Sequence, residues 1–491
     1  MVSTYVWIMF SIFLLIMFIL SLYATKKTKT MEDFAISGAK LGPYVLGLSL
    51  AATLFSAATF MGYPGYSYAW GFSNLWLYLS LAVAAPIGII TIAKAVRKRN
   101  ETQKSLSLPD WLGDFYDSDI LRIGTGLIML FNLFYIAAQF TAGAQIFEYM
   151  LGLNYSTGLI IIAVIVVAYV FAGGSYADVY TDAVQALLMI VAGIFVFITG
   201  IYVFGSGNIN TAFANISDNL AQQDGKLVQI FNPDSNYYAV SAVVGLMIVQ
   251  FAFAAQPQLF NKVLSLEKQK DLRKMIIVYI IASVTSLLVL FGGLYARAAL
   301  PNIEVADLAL IEYITWGLPA FLAAFIAVVI LAAALSTTDG LFVVMSTVFA
   351  NDIFRKVLVR RGIIKVKEDK VDKIALKISR YAVLVVGILA SLLVLRPPEF
   401  LGDLMWVGIS GVSAGTLGPI IYAIFGKRKA SPHAAEGSMI IGLIFYLIIV
   451  FTGIESSPLA AGGWATLVGI ATMWILAYTF KSPTQQASTT K

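Results

Sequence analysis

The 491-residue chain contains no cysteine and a single histidine, His433. Without cysteine there is no disulfide framework, no thiolate metal site and no catalytic thiol. The lone histidine follows the basic cluster Lys427-Arg428-Lys429 and supports neither a zinc enzyme nor a Ser-His-Asp catalyst. No nucleophile–base pair stands out elsewhere, so the chain is read as a non-enzyme. Charge is also scarce. Asp, Glu, Lys and Arg make up 12% of the residues, where a soluble domain carries about a quarter. The formal charge of +6 would suggest nucleic-acid binding in a soluble protein. Here the basic residues have another place.

What fills the chain instead is apolar sequence: 59% of residues are hydrophobic and the mean hydropathy is +0.84. It comes in blocks of about 20 residues, long enough to cross ~30 Å of hydrocarbon as helices. The blocks do not alternate as barrel strands do. Hydropathy and its breaks predict an all-α integral membrane protein of about 13 transmembrane helices, over 2–22, 41–67, 73–96, 119–150, 155–173, 180–204, 239–258, 273–299, 318–346, 374–396, 400–425, 434–453 and 463–480.

Basic residues concentrate in the loops on one side of this layout, namely Lys26-Lys27-Thr28-Lys29, Arg97-Lys98-Arg99, Lys268–Lys274, Arg355–Lys377 and Lys427–Lys429. Of the 33 Lys and Arg, only Lys226, Arg297 and Arg396 fall on the other side. Cytoplasmic loops near spans are enriched in these residues, which predicts a multi-pass cell-membrane protein with its N-terminus outside and its C-terminus cytoplasmic. Met1–Tyr5 carries no basic residue and no small-residue cleavage pattern follows, so the first block is read as a retained helix. The tail Ser482–Lys491 is short and polar, a composition that predicts disorder. No output domain is recognisable.

Three places break the apolar pattern, where polar groups survive only if protein or water satisfies them. The second span runs through Ser49, Thr53, Ser56 and Thr59 to Gly62, Pro64 and Gly65. It fits either a small-residue packing face or a helix interrupted at the glycines and proline, with carbonyls exposed to a hard cation. The ninth span ends Ser336-Thr337-Thr338-Asp339-Gly340. Ser336, Asp339 and Gly340 share a helical face, and the hydroxyls either bond back to their own helix or supply oxygen ligands. The sixth span opens with Asp178, which fits an N-cap, and Asp182, one turn further in, which can face a cation.

Ser56-Ala57-Ala58-Thr59-Phe60-Met61-Gly62-Tyr63-Pro64-Gly65, Ala138-Gln139-Phe140, Gly152–Leu159, Gly173-Gly174 with Thr181-Asp182-Ala183-Val184-Gln185, Ala334-Leu335-Ser336-Thr337 and Arg396-Pro397-Pro398-Glu399 occur in the order seen in one family. The chain resembles the sodium/solute symporter family, most closely its pantothenate-transporter branch. The likeness runs from about residue 30 to 450. It implies a LeuT-type 5+5 inverted repeat. The parts would be an extra helix and loop over 1–40, a first five-helix repeat over 41–204, an extracellular loop over 205–238, an inverted repeat over 239–425, and two helices with a tail over 426–491.

The resemblance further implies Na⁺ as the coupling ion, bound by the carbonyls of Ala52, Phe55 and Ala333 and the hydroxyls of Ser336 and Thr337. A second cation would sit near Asp182, Ser336, Asp339 and Gly340. Asp339 and Gly340 depart from the hydroxyl residues of the family pattern, so a second Na⁺ and a proton on Asp339 both stay open. Solute contacts would come from Ser56, Thr59, Gln139, Gln250, Gln256 and Gln258. The cargo would be a small organic solute, with pantothenate or another carboxylate favoured. No Lys or Arg lies deep in any expected span, so a carboxylate would rest on helix N-termini, hydroxyls or the Na⁺ itself. The expected partners are that solute and the lipid bilayer, with no nucleic acid, and a monomer is compatible. The alternatives are a proton-coupled symporter of the same fold, with Asp182 or Asp339 carrying the proton, and a receptor or sensor that binds without transport.

Overall fold

A computed structural model describes residues 2–398 and 400–480. Glu399 and the expected disordered tail lie outside the described residues. Regular structure among the described residues is helical, apart from one isolated bridge between Leu41 and Leu266.

The helices used below are α1 (Val2–Lys27), α2 (Pro43–Leu54), α3 (Gly62–Trp70), α4 (Leu75–Gln103), α5 (Asn132–Leu151), α6 (Tyr155–Gly205), α7 (Val240–Ala252), α8 (Pro257–Leu264), α9 (Leu272–Ser286), α10 (Ala320–Thr347), α11 (Glu368–Leu393), α12 (Leu401–Phe425), α13 (Pro432–Thr452) and α14 (Pro458–Thr479). Local chemistry sets many of their ends. Proline sits in the first turn of α2, α8, α13 and α14, where its missing N–H has no helical partner to lose. Asn154 caps α6 by accepting from Thr157 N at 2.8 Å, and Gly152, at φ +70°, closes α5.

Burial sorts these helices by depth. α1 turns Val6, Phe10, Phe13, Met17, Ser21 and Ala24 inward and exposes Ile8, Ile12, Leu15 and Ile19, so apolar side chains cover the face a lipid tail would meet. α10 is buried nearly all round from Ala323 to Thr347 and packs against α1, α2, α5 and α6. It is the axis of the molecule. α12, α13 and α14 form a neighbouring layer in which glycines let backbones close up. A Cβ on Gly442 would lie 2.2 Å from Ala414 O, and one on Gly418 would lie 2.6 Å from Gly469 O.

Among the described residues, ten helical stretches are long and apolar enough to cross a membrane, or up to eleven when the pair Val240–Ala255 and Pro257–Leu264, bent by 42°, is taken as one span. The expected 13 differ where one irregular residue separates two blocks. Ala57–Gln103 is a single 47-residue stretch by this measure, yet Gly71 interrupts it at φ +65°, ψ −137°. α6 extends over 51 residues across Gly174 at φ +55°, ψ −149°. The segments Pro43–Leu54 and Tyr155–Ala168 are short apolar helices. The sixth expected span therefore starts at Gly174, earlier than residue 180, and Asp178 lies within the first turn after the kink, past the N-cap position. α10 ends at Thr347, within one residue of the expected 346 and about two turns past Asp339. The chain continues in wider π-helical turns over Val348–Val359.

Gly71 combines a left-handed backbone with close approach, since a Cβ there would sit 2.0 Å from Leu227 O. Gly71→Ala is therefore expected to destabilise the protein by about 2 kcal/mol or more, read as a lowered Tm of the purified protein. An unchanged Tm would show that this junction adapts freely.

Candidate functional site

Two of the spans are broken, and their breaks face the buried middle of α10 and α12. α2 ends at Leu54, Phe55 and Ser56 are extended (φ −96°, ψ 90° and φ −83°, ψ 174°), and a short helical turn resumes at Ala57–Phe60. The interruption thus comes before the Gly62-Pro64-Gly65 stretch where the sequence places it. That stretch is helical in α3, and Pro64 is tolerated there because it falls in the helix's first turn. The break removes the usual donors from the last carbonyls of α2. The Ala57 amide, which a continuous helix would direct to Thr53 O, donates to Gln139 Oε1 at 2.8 Å. The Thr59 amide, which would serve Phe55 O, donates to Ser56 O at 2.9 Å.

α10 brings hydroxyls to those carbonyls. Ser336 Oγ lies 3.1 Å from Ala52 O and 3.0 Å from Ala333 O, and Thr337 Oγ1 lies 3.3 Å from Thr53 O. Ala52, Phe55, Ala333, Ser336 and Thr337 are all buried. The structure therefore brings the two segments together, with oxygen atoms between them.

The residues named for solute contact divide into groups. Ser56 and Thr59 lie at the break. Ser56 Oγ is 3.6 Å from Met405 Sδ on α12, the Tyr135 hydroxyl lies beside Ser56 and Thr337, and the buried Thr59 hydroxyl faces Tyr63 without a well-formed bond. Gln139 is engaged in holding the break through Ala57. Gln256 ends the helical path before α8. Its Nε2 donates to Ile409 O at 2.9 Å and to Ser413 Oγ at 3.0 Å, and its Oε1 is unpaired. Gln250 is buried with neither amide atom paired. Gln258, also unpaired, lies towards Gly340 and Asp178, since a Cβ on Gly340 would lie 3.6 Å from Gln258 Cβ and 3.3 Å from Asp178 Oδ1.

The expectation that no basic side chain lies deep in a span is wrong. Lys262, on α8, is 2% exposed. Its Nζ reaches Ser49 Oγ at 2.7 Å and Asp178 Oδ1 at 3.0 Å, and it pairs with Asp182. Ser49 and Thr53 each donate to Asp182 Oδ2 at 2.9 Å. Asp339 completes the group. Carboxylate oxygens of Asp178, Asp182 and Asp339 lie within 4.8 Å of one another, and Thr181 Oγ1 lies 3.4 Å from Asp339 Oδ2. The expected seventh span ends at residue 258, which leaves Lys262 outside it, on the side of the basic loops. The signal for its burial is Pro257, a first-turn proline that starts a second half-helix.

The end of the site away from the lysine-rich loops is covered by aromatic rings. Tyr66 stacks on Trp70 with centroids 4.5 Å apart, and Trp70 meets Phe400 and Tyr237 at 5.9 and 6.0 Å. Tyr66 OH bonds Asp403, and Asp307 accepts from Leu401 N at 2.8 Å.

Residues 34–442 match the model of the sodium:solute symporter family. The chain belongs to that family. It is 27% identical over 457 residues to the osmoregulated proline transporter of Bacillus subtilis (strain 168), covering 91% of this chain and 89% of that protein. It is 27% identical over 452 residues to a sodium/proline symporter of Staphylococcus aureus, covering 90% and 85%. Among solved structures, a substrate-bound, outward-open Na⁺-coupled sialic acid symporter superposes with a TM-score of 0.76 at 20% identity over 98% of both chains. Mhp1, a nucleobase-cation-symport-1 family transporter in a closed conformation, superposes with a TM-score of 0.58 at 13% identity over 91% and 95%.

The fold class is thus the LeuT-type helical fold expected from the sequence. The protein is a multi-pass, Na⁺-coupled symporter of a small solute, and not an enzyme. The match carries the family and not its pantothenate branch, because these relatives are named for proline.

Gln139 supplies the acceptor for a buried amide that the break orphans. Gln139→Leu should leave that N–H unpaired at a cost of about 1–3 kcal/mol. A lower Tm together with a severalfold loss of uptake is expected, and wild-type values for both would remove Gln139 from the support of the break.

Proposed function

We propose that the protein imports a proline-like zwitterion together with Na⁺, which binds where α2 ends against α10. The ligands are the carbonyls of Ala52, Phe55 and Ala333 and the hydroxyls of Ser336 and Thr337. The observation that carries this reading is the pairing of carbonyls deprived of helical amides with hydroxyls from another span. A small hard cation replaces its water shell with such oxygens. The solute sits beside the ion against Ser56 and Thr59, with Gln250 and Gln256 as further polar contacts and Gln139 as the support of the break. Its carboxylate rests on Na⁺ and the hydroxyls, because Lys262 is already held by Asp178 and Asp182.

Support for a proline-like cargo comes from the relatives named for proline and from charge. A zwitterion has no net charge, so one Na⁺ moves one positive charge inward. That charge gains about 2.3 kcal/mol per 100 mV, and a tenfold gradient adds roughly 1.4 kcal/mol. The total of ~3.7 kcal/mol supports on the order of 500-fold accumulation at 1:1 coupling. An anionic solute with one Na⁺ would lose the voltage term.

The cycle is alternating access. Na⁺ from outside joins α2 to α10 and orders the solute site, solute binding closes the aromatic layer around Tyr66 and Trp70, and the half-helices then part on the other side to release both. The side bearing the lysine-rich loops is the cytoplasmic one, which puts the N-terminus outside, the C-terminus inside and α1 ahead of the two inverted five-helix repeats, 41–204 and 239–425.

In proteoliposomes, an imposed Na⁺ gradient at fixed pH should drive uptake of labelled proline, and unlabelled proline should compete better than pantothenate, short monocarboxylates or sugars. Ser336→Ala with Thr337→Ala should raise the Na⁺ needed for half-maximal uptake by about tenfold or more, a loss of roughly 1.4 kcal/mol of ion binding. Uptake driven equally well without Na⁺ would favour the proton-coupled alternative. Unchanged Na⁺ dependence in the double variant would remove the assigned ligands.

A further inference from the structure

We infer that Lys262 is a resident cation that fills a second cation position between α2, α6, α8 and α10, and so limits the protein to one coupled Na⁺.

The ammonium group of a lysine has three N–H donors, and Lys262 has an acceptor for each in Ser49 Oγ, Asp178 Oδ1 and Asp182 Oδ2. The group is 2% exposed, with Asp178 at 5% and Asp182 at 0%. Taking an ammonium out of water costs several kcal/mol, and only surrounding anions and dipoles offset it. These same oxygens, with Asp339 beside them, form a set suited to a small hard cation, namely two or three carboxylates and the hydroxyls of Ser49, Thr53 and Thr181. Asp182 Oδ1 is buried and unpaired as well, so the donors present do not exhaust the oxygens of the site. The position expected for a second cation near Asp182 and Asp339 therefore already holds a positive charge, covalently attached to α8.

That attachment has a mechanical side. α8 and α2 are the half-helices on the lysine-rich side of the two breaks. Beyond the Lys262 cluster they are joined by Leu41 N to Ser265 O at 3.2 Å and Glu267 N to Leu41 O at 3.0 Å. Arg97 from α4 donates to Leu266 O at 2.9 Å and to Glu267 O at 3.0 Å. A transported ion leaves this position in each cycle, whereas Lys262 stays and holds both half-helices to α6.

The inference rests on the proposed Na⁺ site at Ser336 and Thr337, and its test does not need the solute. With the full chain purified into lipid nanodiscs, binding of ²²Na⁺ is titrated to saturation. The wild type and Lys262→Arg are expected to hold about one ion per chain, and Lys262→Met about two, because removing the ammonium leaves its oxygens to the solvent cation. Adding Asp182→Asn to Lys262→Met should return the count to about one. Two ions on the wild type would overturn the inference without help from any variant. So would a monodisperse Lys262→Met protein that binds no more Na⁺ than the wild type. Failure of the underlying coupling reading would be seen separately, as uptake indifferent to Na⁺.

Discussion

A backbone carbonyl inside a bilayer has no water to fall back on, and the structure turns on what happens to the few that lose their amides. Extending the chain at Phe55 and Ser56 strips the end of α2 of its ordinary donors. Gln139 takes one of the displaced amides, and Ser336 and Thr337 approach the carbonyls from across the molecule. Everything else serves that meeting. α10 is buried almost all round so that its hydroxyls are held at a fixed depth, and the small residues of α2 allow it to come close. An unpaired buried acceptor costs more than an ordinary hydrogen bond returns, so the arrangement has a built-in demand for a donor or a cation. Weak hydroxyl bonds of 3.1 and 3.3 Å are contacts that a cation can readily replace.

The second constraint is electrostatic. Three buried carboxylates gathered from two spans would repel one another without a positive charge among them. Lys262 supplies it from the second half of the other broken span. The two breaks are thereby linked, because Ser49 and Thr53 of α2 reach Asp182 while Lys262 of α8 reaches the same carboxylate. On the opposite side the closure is of another kind, with stacked rings and a tyrosine–aspartate bond. Stacked rings thus close one end of the site, and a buried charge cluster ties the half-helices together at the other.

Much of this was legible in the sequence, for physical reasons that differ from element to element. Apolar blocks of bilayer length cannot be hidden, and the ordered motifs carried both the fold and the contact between the second and ninth spans. The exact break was not legible. Gly62, Pro64 and Gly65 look like helix breakers, yet all three lie in α3, while Phe55 and Ser56, which do break, carry no backbone peculiarity of their own. Tertiary partners decided it, since Gln139 rewards the extended conformation. Lys262 was misread because a lysine at the edge of a hydropathy block looks like the first residue of a loop. Only the three-dimensional return of α8 onto α6 shows that it points inward. Asp178 was misread because the backbone break falls at Gly174, four residues earlier, which places Asp178 inside the helix that follows and not at its cap.

Density maps of the protein determined in sodium and in choline test most directly whether a dehydrated sodium ion joins the end of α2 to α10. An ion-sized peak is expected in sodium alone, surrounded by the oxygens of Ala52, Phe55, Ala333, Ser336 and Thr337. Maps that are the same in both salts, or a sodium-dependent peak elsewhere in the membrane, would contradict it.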